Sequence, residues 1–359
     1  MSGDNRPDIR DLTREEIGKF FTGHGERMFR AGQVYEWLWK KGCQSFEEMT
    51  SLPKTTRQLL SGQFTFHTAK PDTEQKSSDG TIKRGFRLHD GLIVEGVLIP
   101  SDERFTACIS SQVGCALGCS FCATGKLGFS RNLTFGEIYD QVVYLASLAT
   151  GRQQTDTAGL SARALSNIVF MGMGEPFLNY ENVTRAIEKI TSEEGLGMSP
   201  QRITVSSVGI PKMIRKMAED NPKWHFALSL HAAIDEKRNL LVPFNEKHPI
   251  KEIIEAIRFY VKLTGKRFTI EYILFRDVND NLADARDLAV FCKNFPVKIN
   301  LIEYNVVKGF SYNKPDPEKV KAFIRFLESR NLVVNLRKSR GKDIDAACGQ
   351  LAGKEMAKK

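Results

Sequence analysis

Four of the seven cysteines fall in one stretch, "CISSQVGCALGCSFCATG", Cys108 to Gly125. Cys115, Cys119 and Cys122 form a C-x3-C-x2-C group. Thiolates at that spacing can hold three irons of a 4Fe-4S cluster, which leaves the fourth iron without a protein ligand and open to a small molecule. The competing arrangement is a structural zinc site with Cys108 as the fourth ligand after a six-residue gap. Zinc sites usually pair C-x2-C units, and the chain supplies no second pair.

Other residues of unusual type recur at the ends of short apolar runs. The cysteine group follows "TACIS", "MGEP" follows "NIVFMG", Ser206 ends "RITVS", His231 follows "HFALSL" and Asn305 ends "NLIEYN". These runs, with "FTIEYILF" and "LVVNLRK", alternate with amphipathic stretches such as "TFGEIYDQVVYLASLA" and "KEIIEAIRFYVKLTG". Strand and helix in alternation predict an α/β fold with a parallel, barrel-like sheet, whose site lies at the carboxyl ends of the strands. No Walker loop or G-x-G-x-x-G fingerprint occurs.

The segments on either side differ. Apolar residues at helical spacing from Arg14 to Leu60, in "EEIGKFFTGHG", "AGQVYEWLWKKG" and "SFEEMTSLPKTTRQLL", predict short helices broken by glycines and Pro53. Phe20, Phe21, Trp37 and Trp39 read as the core of this unit. Strand-like alternation from Thr65 to Pro100 around Asp90-Gly91 predicts an antiparallel extension. The expected division is residues 1–64, a helical accessory domain for RNA; 65–100, the β-extension; 101–340, the barrel; and 341–359, a C-terminal segment. "GRQQTDTAGLSARAL" reads as a surface insertion.

In bulk the chain has 359 residues, 41% hydrophobic and 26% charged, enough for a substantial core. It has no run of 18 apolar residues, and its N-terminus lacks a signal-peptide pattern, so a cytoplasmic location without membrane contact is expected. An odd, clustered set of cysteines suits metal or redox chemistry in a reducing compartment. A net charge of +9 permits a polyanionic partner without requiring one.

The C-x3-C-x-Phe-C spacing after the first barrel strand resembles the radical S-adenosylmethionine superfamily. "SSQVGCALGCSFCATGKLGFSRNLT", "FMGMGEPFLN", "SLHA" and "DIDAACGQLAG" narrow the resemblance to the radical methyltransferases that modify an adenine carbon in RNA, over nearly the whole chain. The resemblance implies a partial TIM-like (β/α)6 barrel, a 4Fe-4S cluster on Cys115, Cys119 and Cys122, and S-adenosyl-L-methionine held by Gly174, Glu175, Ser206, Ser229, Leu230, His231 and Asn305. It also implies that Cys348 carries a methyl group and that Cys108 resolves the covalent RNA intermediate through a transient disulfide with Cys348. Glu95 matches the family's proton acceptor. The implied substrates are 23S rRNA and tRNA, with a flavodoxin-like electron donor, a dithiol reductant and a monomeric enzyme. Val113 in "SQVGC" and Pro176 in "MGEP" resemble the branch that methylates adenine C2, as opposed to C8. Glu303 and Val306 flank Asn305 where the family usually has proline, which puts that loop's conformation in question. Cys43 and Cys292 read as buried structural thiols, and "RKSRGK" and "GKEMAKK" as basic segments near Cys348.

Overall fold

The computed structural model describes residues 6–102, 104–151, 165–293 and 295–352. The expected insertion falls almost wholly on residues 152–164 and "GKEMAKK" wholly on 353–359, outside the described residues.

The N-terminal helices are α1 (Arg14–Gly23), α2 (Arg30–Trp39) and α3 (Lys54–Gln63). Thr13 and Glu16 close a reciprocal capping box on α1. Pro53 caps the start of α3, the break expected there, but the short helix expected over "SFEEMTS" before it does not form. There Glu48 instead accepts from the Gln44 amide and the Ser45 hydroxyl, local bonds that compete with a helix. Phe21, Trp37 and Trp39 are buried, and Phe20 packs edge-on against Phe64 at 4.8 Å.

Next come β1 (Lys70–Lys76), β2 (Ile82–Arg87) and β3 (Ile93–Ser101), an antiparallel meander that turns between β2 and β3 at Asp90-Gly91. β3 pairs antiparallel with β4 (Arg104–Cys108), so the extension continues the barrel sheet. A two-stranded ribbon of β5 (Gln112–Gly114) and β6 (Phe129–Asn132) encloses the cysteine loop and the short helix α4 (Ala123–Lys126). The alternation then runs α5 (Phe135–Thr150), β7 (Asn167–Phe170), α6 (Tyr180–Thr191), β8 (Ile203–Ser207), α7 (Pro211–Asp220), β9 (His225–Ser229), α8 (Asp235–Leu241), α9 (Ile250–Thr264), β10 (Phe268–Leu274), α10 (Leu282–Cys292), β11 (Val297–Glu303), α11 (Pro317–Glu328) and β12 (Val333–Arg337).

The ten-stranded sheet has the order β1-β2-β3-β4-β7-β8-β9-β10-β11-β12, parallel from β4 onward. Helical crossovers join these parallel strands as six β/α units, and β12 follows the last helix. β1 and β12 are the sheet's edges, so the barrel is open. Ile168, Val205, Leu228, Ile270 and Leu301 are buried in the main core, while a second cluster around Leu117, Phe121, Leu241, Phe275 and Tyr304 packs beneath the cysteine loop. Burial of such side chains contributes on the order of 2 kcal/mol each.

Candidate functional site

The local backbone positions the cysteine loop. Gly114 has φ 74°, and its neighbour Cys115 donates its amide to the Gly128 carbonyl at 2.8 Å. A Cβ on Gly114 would lie 1.9 Å from that carbonyl oxygen. Gly114→Ala is therefore expected to spread the ribbon at a cost of roughly 1–3 kcal/mol. Iron and sulfide analysis after anaerobic reconstitution checks this: the variant should hold clearly less cluster per chain, and wild-type content would refute the account.

Beyond that turn the Cys122 amide bonds to the Cys119 carbonyl, and the Phe121 ring packs edge-on against His231, centroids 5.0 Å apart, and tilted against Phe275, centroids 5.2 Å apart. The aromatic of the motif is thus the peg that seats the loop on the strand ends. Cys115, Cys119 and Cys122 line a cavity of about 150 Å³ together with Gly174, Glu175, Ser206, Ser229, His231 and Cys348. Burial pushes the Cys115 thiol up to about 12 and the Cys119 thiol well above its ordinary value. Both stay protonated until a metal cation displaces the protons.

Gly174, φ 98°, approaches β5 so closely that a Cβ would come within 2.5 Å of the Gln112 Cβ. The Glu175 carboxylate is buried and accepts the Phe177 amide at 2.9 Å and the Val208 amide at 3.0 Å, one on each oxygen. Burial outweighs those bonds and raises it to about 7. The Ser207 side chain also hydrogen-bonds to this carboxylate, which leaves one acceptor position for an ammonium partner. The Ser206 and Ser229 hydroxyls, at adjacent strand ends, are 2.8 Å apart. His231 takes a left-handed φ of 59°, and its Nδ1 accepts the Ile273 amide at 3.2 Å, so Nε2 carries the proton. Burial, reinforced by the Arg238 charge, lowers its pKa to about 3, and the ring is neutral at physiological pH.

Two of the expected contacts sit differently. The Leu230 side chain is fully buried, and its backbone bonds to Glu271 and Arg238, which positions the adjacent Ser229 and His231. Asn305 is buried with its Oδ1 unpartnered, while its Nδ2 faces the Cys348 carbonyl at 3.5 Å. A buried amide oxygen without a donor fits a ligand group. Val306 is exposed, and its carbonyl accepts from Gln350 at 2.9 Å, so this loop is tied directly to the C-terminal segment.

That segment returns across the site. The Ala123 amide bonds to the Gly349 carbonyl at 2.8 Å and the Thr124 hydroxyl to the Leu351 carbonyl at 2.6 Å, which fastens it against α4. Cys348 lines both the cysteine cavity and a second cavity of about 80 Å³ that also contains Cys108, Arg337, Lys338 and Arg340. Cys108 and Cys348 are free thiols. Cys43 and Cys292 are free and buried in the core, as their helical settings predict.

Alternation along β3 and its register with β4 put Glu95, Val97 and Cys108 on one face of the sheet. Glu95 is buried, 3.4 Å from Lys83 Nζ, and accepts the Ala352 amide at 2.9 Å. It therefore faces the C-terminal segment and not solvent. Sequence reasoning missed Glu271 and took Arg337 only as part of the basic segment "RKSRGK"; Glu271, on the cysteine cavity, and Arg337, on the second one, pair at 3.2 Å. A glutamate in the otherwise apolar run "FTIEYILF" was the available signal, because a buried carboxylate demands a partner.

Among the described residues no three His, Cys, Asp or Glu side chains converge closely enough for one metal ion. Cys108 lies in the other cavity and does not complete a four-ligand zinc set with the three loop cysteines. Three thiols around an apolar pocket fit a cluster that engages a separate iron with each.

Comparison with known proteins agrees with this geometry. Residues 7–65 match the ribosomal RNA large subunit methyltransferase N-terminal domain, and residues 109–289 match the radical SAM superfamily. The chain is 50% identical to the probable dual-specificity RNA methyltransferase RlmN of Flavobacterium johnsoniae, covering 98% of each, and 45% identical to the dual-specificity RNA methyltransferase RlmN of Anaeromyxobacter sp., covering 97% of this chain and 91% of the relative. The crystal structure of a radical SAM methyltransferase from Sphaerobacter thermophilus superposes with a TM-score of 0.88 at 41% identity, covering 96% of this chain and 99% of that one. The chain belongs to the RlmN family of radical SAM RNA methyltransferases.

Proposed function

We propose that this protein methylates C2 of an adenosine in 23S rRNA and in tRNA, with Cys348 as the methyl carrier. The carrying observation is that Cys348 lines both cavities: it faces the three loop cysteines on one side and Cys108 on the other. Adenine C2 is no nucleophile, so the methyl carbon must first be held on the protein and then made reactive. A bound 4Fe-4S cluster and S-adenosylmethionine would supply the radical chemistry for that.

The chain's own residues do the rest. Cys115, Cys119 and Cys122 would hold the cluster. Glu175, Ser206, Ser229, His231 and Asn305 would orient the cofactor, with the Gly174 backbone and the Leu230 main chain setting their positions. Glu95 or Cys108 would take the C2 proton, and Cys108 would release the methylated base. A flavodoxin-like donor would supply electrons, and a dithiol would reduce the Cys108–Cys348 pair. Residues 1–64 and the exposed Lys338 and Arg340 would contact RNA phosphates. The target base must leave its stack to reach a buried sulfur. A monomer in the cytoplasm suits this role.

Nucleoside mass spectrometry of rRNA and tRNA from cells with and without the protein tests the reading. 2-Methyladenosine should be lost from both RNAs on deletion and restored by the wild-type chain, not by Cys348→Ala. Loss of 8-methyladenosine instead would assign the chain to the C8 branch, against Val113 and Pro176. No change in either nucleoside would overturn the proposal.

A further inference from the structure

The second cavity holds a charge that neither the cluster nor the cofactor contacts require. Arg337 ends β12 and lines the pocket shared by Cys108 and Cys348. Its guanidinium is held by Glu271 of β10 at 3.2 Å and lies 3.7 Å from the Met171 sulfur. The other Glu271 oxygen accepts from Asn300 of β11 at 2.8 Å, and Asn335 of β12 donates to Asn300 at 3.3 Å. Side-chain bonds across three neighbouring strands thus hold the cation in place, where a free arginine would swing to solvent.

We infer that Arg337 is a positioning residue that serves as counter-ion to the Cys108 sulfur, readying it as the nucleophile that frees the methylated base. The inference rests on the reading of Cys108 as the resolving thiol. Only a thiolate attacks sulfur, and a thiol enclosed in apolar surroundings gives up its proton reluctantly. The charged and titratable groups around Cys108 are Arg337 on β12, Lys338 and Arg340 just beyond it, Cys348 on the returning segment, and the paired Lys83 and Glu95 on the same sheet face. Burial, with a smaller push from Cys348, outweighs the opposing Arg337 charge and raises Cys108 to about 12. Glu271 neutralises the Arg337 cation in the resting state, before a thiolate forms.

The test uses the full-length, cluster-loaded protein without RNA or S-adenosylmethionine. Methyl methanethiosulfonate modifies thiolates, and peptide mass spectrometry follows Cys108 alone across about pH 7 to 10. Arg337→Gln should slow Cys108 modification about tenfold at each pH, the equivalent of one unit upward. Arg337→Lys keeps the charge but loses the fork to Glu271, so it should slow modification by about threefold. Lys338→Gln and Arg340→Gln should leave the rate unchanged. A merely structural role would loosen the pocket and speed the reagent, the opposite sign. Unchanged or faster modification in Arg337→Gln, or equal slowing by Lys338→Gln, overturns the inference. Should the glutamine variant not fold, the lysine variant decides by the same criterion. Because RNA is absent, failure of the methyltransferase reading would appear as missing 2-methyladenosine with these thiol rates intact.

Discussion

Cys108→Ala is expected to abolish turnover and to trap the protein covalently on its RNA. Once a carbon on the Cys348 sulfur has bonded to adenine C2 and the C2 proton has left, the remaining link is a carbon–sulfur bond. Attack by the Cys108 sulfur on the Cys348 sulfur forms a disulfide and breaks that bond. The bonding electron pair leaves with the carbon, which takes a proton and becomes the methyl group. No other thiol is placed to substitute: Cys43 and Cys292 are buried elsewhere, and Cys115, Cys119 and Cys122 are assigned to the cluster. Denaturing gels of the variant incubated with RNA and S-adenosylmethionine should show a slow band that collapses on nuclease treatment, while 2-methyladenosine falls to background. Normal turnover with no adduct would remove Cys108 from the pathway. Cys348→Ala should give neither product nor adduct, which separates the two sulfurs.

What could be read from the sequence follows from how local each feature is. The spacing of Cys115, Cys119 and Cys122 is set within eight residues, so it was legible without any fold. The strand-end positions of Glu175, Ser206, His231 and Asn305 followed from alternation alone, because parallel strands must end at one mouth. Glu95 was legible only through family resemblance. Its face of β3 would be solvated were it not covered by residues 341–352 returning from the far end of the chain. Arg337 appeared only as part of a basic segment near Cys348, because nothing local in "RKSRGK" distinguishes its first residue from those that follow. What sets it apart is its pairing with the buried Glu271, two strands away across β11, and such cross-strand pairs leave no mark on either stretch. The helix expected through "SFEEMTS" failed for the opposite reason, a local side-chain bond that periodicity does not register.

Arg10→Met should destabilise the whole chain by about 3–5 kcal/mol near neutral pH, through a site remote from the chemistry. Arg10 is buried between two carboxylates. Its Nη1 lies 2.9 Å from Asp140 of α5, its Nη2 3.0 Å from Asp8, and Nη2 also donates to the His67 carbonyl at 2.8 Å. The guanidinium lies against Gly136, where a Cβ would come within 2.7 Å of it. One residue therefore clamps the N-terminal segment, the start of the β-extension and the first barrel helix together, beside Trp39 stacked on Phe135 at 5.5 Å. Burial raises the Asp8 carboxyl, but the Arg10 charge and hydrogen bonds outweigh it and hold the group below its ordinary 3.8. That contribution is present above 3.8 and is lost as the pH falls through the depressed value. Methionine fills the volume but leaves Asp8 and Asp140 buried with only the amides of residue 10, His67 and Ala69 as donors. Burial already holds the Asp140 carboxyl above its ordinary value against the pull of Arg10; without the cation it should rise further and Asp8 should join it, so the variant's deficit must shrink as the pH is lowered from about 7.5 toward 5 and the orphaned groups take up protons. Urea melts of both proteins at the two pH values check it. A deficit that is constant with pH would mean that Arg10 acts through packing, and no deficit would mean that the N-terminal unit docks by its aromatic contacts alone.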